Sequence, residues 1–191
     1  ESLANYRQAG VTIGGDRSDA ERIQGLQVTP SFFDVLRVQP YRGRLFTQEE
    51  AEVGQDQKVV LTHGFWQRMF GGADAAIGQS LRVNGVPMAI VGVLPPDFRF
   101  VNPEIQIIRP VAFTAAERAD DQRHSNSWQQ IGRLREGTTV AQVQSQLDRL
   151  NATNLERFPQ LRDILINARF STRAVGLHDH LTGRIGRTLS L

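Results

Sequence analysis

Between Thr47 and Phe100 the chain carries strand, helix and turn signals in a fixed order, and they leave few ways to fold. Lys58-Val59-Val60-Leu61 is an apolar run of strand length. Thr62 then opens a segment in which Phe65, Trp66, Met69 and Phe70 recur at helical spacing until Gly71-Gly72 stops it. After Ile77-Gly78, Leu81 and Val83 alternate with polar residues up to Asn84-Gly85, and the chain returns as Val86 to Leu94 before Pro95-Pro96. That is the pattern of a hairpin whose two-residue turn needs positive φ. Trp66, Met69 and Phe70 could line a ligand pocket, but a cluster at helical spacing reads as core. The whole stretch lacks a recognisable catalytic group and reads as an interaction scaffold.

The flanking segments continue the mixture. Val11-Thr12-Ile13 alternates loosely, and Ile23, Leu26 and Val28 mark a strand over 23–28. Thr29-Pro30 follows as a helix start, with Thr as cap and Pro at the first helical position, predicting a short helix over Ser31 to Leu36. Gly43 to Phe46 reads as extended, and Thr47-Gln48-Glu49-Glu50 as a capping box that opens another short helix. Ile105, Ile107 and Ile108 predict a strand ended by Pro110. The polar stretch Ala115 to Ser127 reads as an internal linker or exposed loop. Trp128 to Leu134 predicts a strand, and Thr139 to Gln142 a second capping box. Val140, Val143, Leu147, Leu150 and Asn154 then fall at helical spacing and give the longest amphipathic helix. Ile164 to Phe170, with Thr172 and Ala174-Val175, reads as a final strand. No internal repeat or low-complexity tract is present.

With 191 residues and 40% hydrophobic content, the chain can bury one sizeable core or two small ones. The absence of cysteine excludes disulfides and thiolate metal sites. The longest apolar run, Met88 to Leu94, is far short of the ~20 residues that span a bilayer. The basic residues are almost all arginine, with Lys58 the sole lysine, yet the formal net charge is only +2. Arginines and acids are interspersed, and no basic run with interleaved aromatics forms a groove for nucleic acid. The tail is the exception: Arg162, Arg169, Arg173, Arg184 and Arg187 outnumber Asp163 and Asp179, which suits an approach to an anionic lipid surface. A start at Glu1 and a stop at Leu191 read as the ends of an excerpt.

Catalytic patterns are missing. There is no Gly-x-Ser-x-Gly elbow, no phosphate loop and no dinucleotide fingerprint. His178-Asp179-His180 lacks the further ligands a metal needs. His63 and His124 have no adjacent nucleophile, so a hydrolase built on either is the weaker alternative to an interaction domain. Glu49-Glu50 and Asp120-Asp121 point apart as neighbours on a helix and read as solvated caps. No cofactor and no metal is expected, and the chain is not read as an enzyme.

Taken together, these segments resemble the extracytoplasmic core domain of MacB-like ABC transporter permeases, especially those without a fused ATPase. The matching residues are Val28 to Phe33 with Leu36; Gly43 to Phe46; Val59 to Thr62 with Phe65-Trp66; Gly78 with Leu81 to Gly85; Val91-Gly92-Val93 with Pro95 and Phe98; Gly132-Arg133-Leu134 with Gly137; and the 139–150 helix. The resemblance implies an α+β fold with two subdomains. One is a discontinuous βαβ layered, porter-like unit from 1–38 and 120–176, and the other is an inserted mixed α/β unit with a β-hairpin from 39–119. Residues 177–191 would run in to a transmembrane helix. It further implies a non-catalytic domain on the periplasmic side of the cytoplasmic membrane that transmits membrane-helix motion. Its partners would be its own transmembrane helices, a separate ATP-binding subunit, and a periplasmic adaptor or substrate protein. A stand-alone soluble interaction domain is the alternative. Phe98, Phe100, Asn102, His124 and Trp128 are the expected partner contacts, because loops on a rigid scaffold are where such contacts concentrate.

Overall fold

The computed structural model describes residues 2–14, 19–119, 127–167 and 169–180. Its contacts separate into two compact units, Glu1–Arg133 and Leu134–Leu191.

The first unit is built on an eight-stranded mixed sheet. Its strands are β1 (Ser2–Ile13), β2 (Glu21–Val28), β3 (Arg42–Gly43), β4 (Lys58–Leu61), β5 (Ser80–Val83), β6 (Val86–Val93), β7 (Ile105–Pro110) and β8 (Gln129–Arg133). Helix α1 (Ser31–Leu36) follows β2, and α2 (His63–Phe70) follows β4. The path β2-β7-β4-β6-β5-β1-β8 is closed by a further β1–β2 pairing, so six strands form a ring. β1 makes this possible because it is long: Ser2–Tyr6 pairs with β8, and Tyr6–Ile13 pairs with β2.

The hairpin forms as the sequence predicts. β5 and β6 pair from Ser80↔Ala89 to Val83↔Val86, and the turn places Asn84 at φ +50 and Gly85 at φ +80. Those two positive dihedrals match the right-handed twist of the strands. The Asn84 side chain then accepts from the Thr12 N–H at 2.8 Å, tying the turn to β1. Helix α2 also lies where predicted and ends at Gly71 (φ +60), whose N–H donates to the Gln67 carbonyl. Phe65 and Trp66 are buried, whereas Met69 is exposed.

Side-chain alternation distributes the apolar residues into two clusters. Val11, Ile13, Ile23, Val59, Leu61, Val83, Ile90 and Ile107 pack with Phe65 and Trp66. Ala4, Tyr6, Leu26, Val28, Val60 and Ile108 pack with Phe32 and Phe33 of α1 and with Phe100. At the entry to α1, the Thr29 carbonyl accepts from the Phe32 N–H. The Thr29 hydroxyl does not cap the helix and accepts from the Asn5 N–H at 3.0 Å instead.

The acids at 49–50 are a correction. Only a short 3-10 turn, Glu49–Ala51, forms there, and Glu50 is not a solvated cap but 6% exposed. Burial is tolerated because Arg44 and the Thr47 N–H both donate to its carboxylate.

In the second unit, α3 (Val140–Arg157) carries the predicted capping box, with Gln142 N–H donating to the Thr139 hydroxyl and Thr139 N–H to the Gln142 side chain. The predicted strand over 164–170 is replaced by α4 (Pro159–Asn167). Proline at the first helical position favours this start, and Ile164 (63% exposed) and Ile166 lie on the helix surface with no ladder. The segment after α4 is held by two side chains of α3, Asn151, which accepts from the Thr172 hydroxyl at 3.4 Å, and Gln144. Gln144 donates to the Thr172 carbonyl and accepts from the Ala174 N–H, both at 2.8 Å.

Sheet strands thus come from both 1–38 and 39–119, and the compact units divide at 133/134. Residues 181–191, most of the expected run-in, lie outside the described residues, as do Asp120, Asp121 and most of the expected 115–127 loop.

Candidate functional site

The loop between β6 and β7 and the start of α2 enclose a groove of about 470 Å³ lined by Thr62, His63, Pro95, Phe98, Arg99 and Asn102, among others. The loop is fixed at both ends. Leu94 is fully buried and its N–H donates to the Leu61 carbonyl at 2.8 Å. Asn102 accepts from the Glu104 N–H at 2.9 Å and donates to the Gln8 side chain at 3.2 Å. Between them, Phe98 N–H closes a turn on the Pro95 carbonyl, and the Arg99 guanidinium folds back to donate to the Pro96 and Phe98 carbonyls. Val101 sits at φ +42, a strained conformation for a β-branched residue. The surrounding contacts hold it there.

Phe98, Phe100 and Asn102 all line this groove, but in different roles. Phe98 and Asn102 are half-exposed, while Phe100 is 5% exposed and packs edge-on against Tyr6 (5.0 Å) and Phe32 (4.8 Å). Phe100 is the floor that anchors the loop, not an accessible contact. Trp128 has other neighbours, Phe113 at 5.0 Å and the Arg7 guanidinium at 4.4 Å. His124 lies outside the described residues.

Beside the groove, at His63, lies a cluster with no local sequence signal. His63, Tyr41 and Trp66 form a ring cluster with centroid distances of 5.2, 5.4 and 6.0 Å. Tyr41 comes from the segment before β3, and its position follows from its N–H donating to the Val93 carbonyl. Thr62, the hydroxyl next to His63, donates to the Gln106 carbonyl at 3.1 Å. Among the described residues no carboxylate or hydroxyl hydrogen-bonds to His63, so the nucleophile–base–acid geometry of a hydrolase is not assembled there. Among the described residues no cluster of three or more metal-ligating side chains occurs.

The two glycine-bearing motifs at 43–46 and 91–93 prove to be one contact. Gly43 pairs with Gly92, and a Cβ on Gly92 would stand 2.1 Å from the Arg44 carbonyl oxygen. One on Gly43 would stand 2.3 Å from the Val91 carbonyl oxygen. Only glycine lets these backbones approach, and that approach brings Arg44 to Glu50.

The sequence pattern that combines these features matches the MacB-like periplasmic core domain over residues 1–150. The chain belongs to that family. Solved structures with the same fold include a domain from Porphyromonas gingivalis described as part of a permease protein (TM-score 0.61, 16% identity, covering 80% of this chain and 70% of that one). A second is the periplasmic region of MacB from Actinobacillus actinomycetemcomitans (TM-score 0.57, 14% identity, 80% and 67%). A third is the extracellular domain of the noncanonic ABC-type transporter YknZ from Gram-positive bacteria (TM-score 0.52, 15% identity, 77% and 70%). No curated protein matches the chain. The chain is thus a MacB-like periplasmic core domain with the mixed α/β fold of its neighbours. None of its described helices is long and apolar enough to cross a membrane.

Proposed function

We propose that this MacB-like domain carries movement of the permease's membrane helices to a partner outside the cytoplasmic membrane, and that the rim of the groove, around Phe98 and Asn102, is where the partner is met. The observation that supports this most is the loop from Leu94 to Asn102, which is pinned at both ends to a closed sheet yet presents Phe98 and Arg99 at its surface. Such a loop moves with its scaffold and does not absorb the motion itself. Energy would come from ATP hydrolysis by a separate subunit, and the partner would be a periplasmic adaptor or a substrate protein. Trp128 is a second contact in this reading.

The same reading keeps the porter-like partition, 1–38 with 120–176 against 39–119, as a mechanical division. It draws support from β8 pairing with the first residues of β1 and from Arg133, whose Nε donates to the Val35 carbonyl of α1 at 2.9 Å.

The chain has no cysteine, so Arg99→Cys gives a unique label within the domain. In the full-length permease, a membrane-impermeant maleimide added to spheroplasts should label position 99, and the labelling rate should change when the ATPase is trapped with nucleotide. Labelling only after the membrane is permeabilised, or a rate indifferent to the nucleotide state, would overturn the proposal.

A further inference from the structure

The geometry points to a phosphate-binding site on the first unit, formed by Arg7 and Arg109 on either side of Gln27, with the Trp128 ring as its wall. Three observations carry it, none of which involves the groove. The first is register. Arg7 pairs with Gln27 across β1 and β2, and Gln27 pairs with Arg109 across β2 and β7. Neighbouring strands lie about 5 Å apart, so the three side chains stand in one row on one sheet face. It is the face that carries Val11, Ile23 and Ile107 into the core, continued past the end of the apolar cluster.

The second observation is that one cation is held in place. Arg7 Nε donates to Gln27 Oε1 at 2.7 Å, and its guanidinium lies 4.4 Å from the Trp128 ring, itself packed against Phe113. Its terminal nitrogens make no hydrogen bond to a described residue.

The third concerns the other cation. Arg109 is half-buried and forms neither a hydrogen bond nor an ion pair with a described residue. Burial first, and the like charge of Arg7 second, hold its pKa below the ordinary arginine value, with Asp56 opposing. The other nearby carboxylate, Glu117, lies within the electrostatic reach of Arg7 but accepts from the Thr114 N–H and hydroxyl at 2.9 Å each rather than from either guanidinium. Two neighbouring guanidiniums that no carboxylate of a described residue hydrogen-bonds are costly to keep on a partly covered face. A phosphate group resolves this, since its charge balances both cations and its oxygens match the guanidinium fork. Its source could be free phosphate or the phosphorylated headgroup of an amphiphile.

Trp128 supplies the readout, because the only other tryptophan, Trp66, is buried on the inner face of α2. The 191-residue chain is titrated with inorganic phosphate and, separately, with dihexanoyl phosphatidate, with chloride at matched ionic strength as control, while tryptophan emission is followed. Saturation by phosphate, absent with chloride, means that the free group suffices; saturation by phosphatidate alone assigns the headgroup. Either result supports the site. Arg109→Gln should then weaken binding by about ten-fold or more, and without phosphate it should unfold no earlier than wild type, because no hydrogen bond or ion pair to a described residue is lost. Should Arg109→Gln fail to fold, Arg109→Lys keeps the charge, loses the fork and should weaken binding several-fold. Saturation by neither ligand, or affinities unchanged in these variants, would overturn the proposal.

Discussion

Arg44 grips Glu50 with both ends of its fork, Nη1 to Oε2 at 2.9 Å and Nη2 to Oε1 at 2.6 Å, and the carboxylate it holds is nearly buried while the guanidinium is half-exposed. Burial pushes the Glu50 carboxyl up, but the hydrogen bonds from Arg44 and the Thr47 N–H, with the charges of Arg44 and Lys58, outweigh it and hold the pKa below the ordinary value. A depressed folded-state pKa means stability that is fully present above the unfolded glutamate value of about 4.3 and lost as pH falls below it. Thermal melts from pH 7 to pH 3 should therefore show a loss of Tm below about pH 4.3 that is reduced in Glu50→Gln. Arg44→Met, which leaves a buried carboxylate unpaired, should cost about 2–3 kcal/mol at pH 7.

Gly92→Ala should be among the most damaging single substitutions in the domain. The added Cβ meets backbone rather than a side chain that can turn away, so β3 must separate from β6. A cost of about 3 kcal/mol or more, by denaturant unfolding of the isolated chain, is expected. A neutral result would show that the β3–β6 approach is not needed.

Phe98 and Phe100 separate contact from support. Phe100→Ala removes the ring wedged between Tyr6 and Phe32 and should cost about 3–4 kcal/mol. Phe98→Ala should change stability by no more than about 1 kcal/mol while impairing transport by the full-length permease. Circular dichroism melts beside a transport assay distinguish the two.

Gln144→Ala should loosen the second unit without affecting the first, because its amide is bonded to both Thr172 and Ala174. Faster amide exchange confined to residues 169–176, with the β5–β6 hairpin unchanged, is the expected outcome.

How much of this was legible depends on how local the determinants are. The hairpin, α2 and the α3 capping box were readable because Asn84-Gly85, Gly71 and Thr139 with Gln142 act on neighbouring residues. Ile164-Leu165-Ile166 misled because a short apolar run suits strand and helix alike, and Pro159 was the helix signal that went unread. Glu50 looked like a cap because its partner Arg44 is aligned only once β3 has paired with β6. The start of β1 went unrecognised because its buried positions switch phase, Ala4 and Tyr6 facing one core and Val11 and Ile13 the other. Without that strand, neither the Arg7–Gln27–Arg109 row nor the closed ring could be seen.

The most direct test of the domain as a moving partner-contact surface is site-specific photocrosslinking in the full-length permease. A crosslinking amino acid at position 98 or 102 should yield a covalent adduct with an extracytoplasmic protein or substrate, and its yield should differ between ATPase-active and ATPase-dead assemblies. Position 69, where Met69 is exposed on α2, serves as the control and should give none. Adducts from position 69 alone, or equal yields in the active and dead assemblies, would contradict the account.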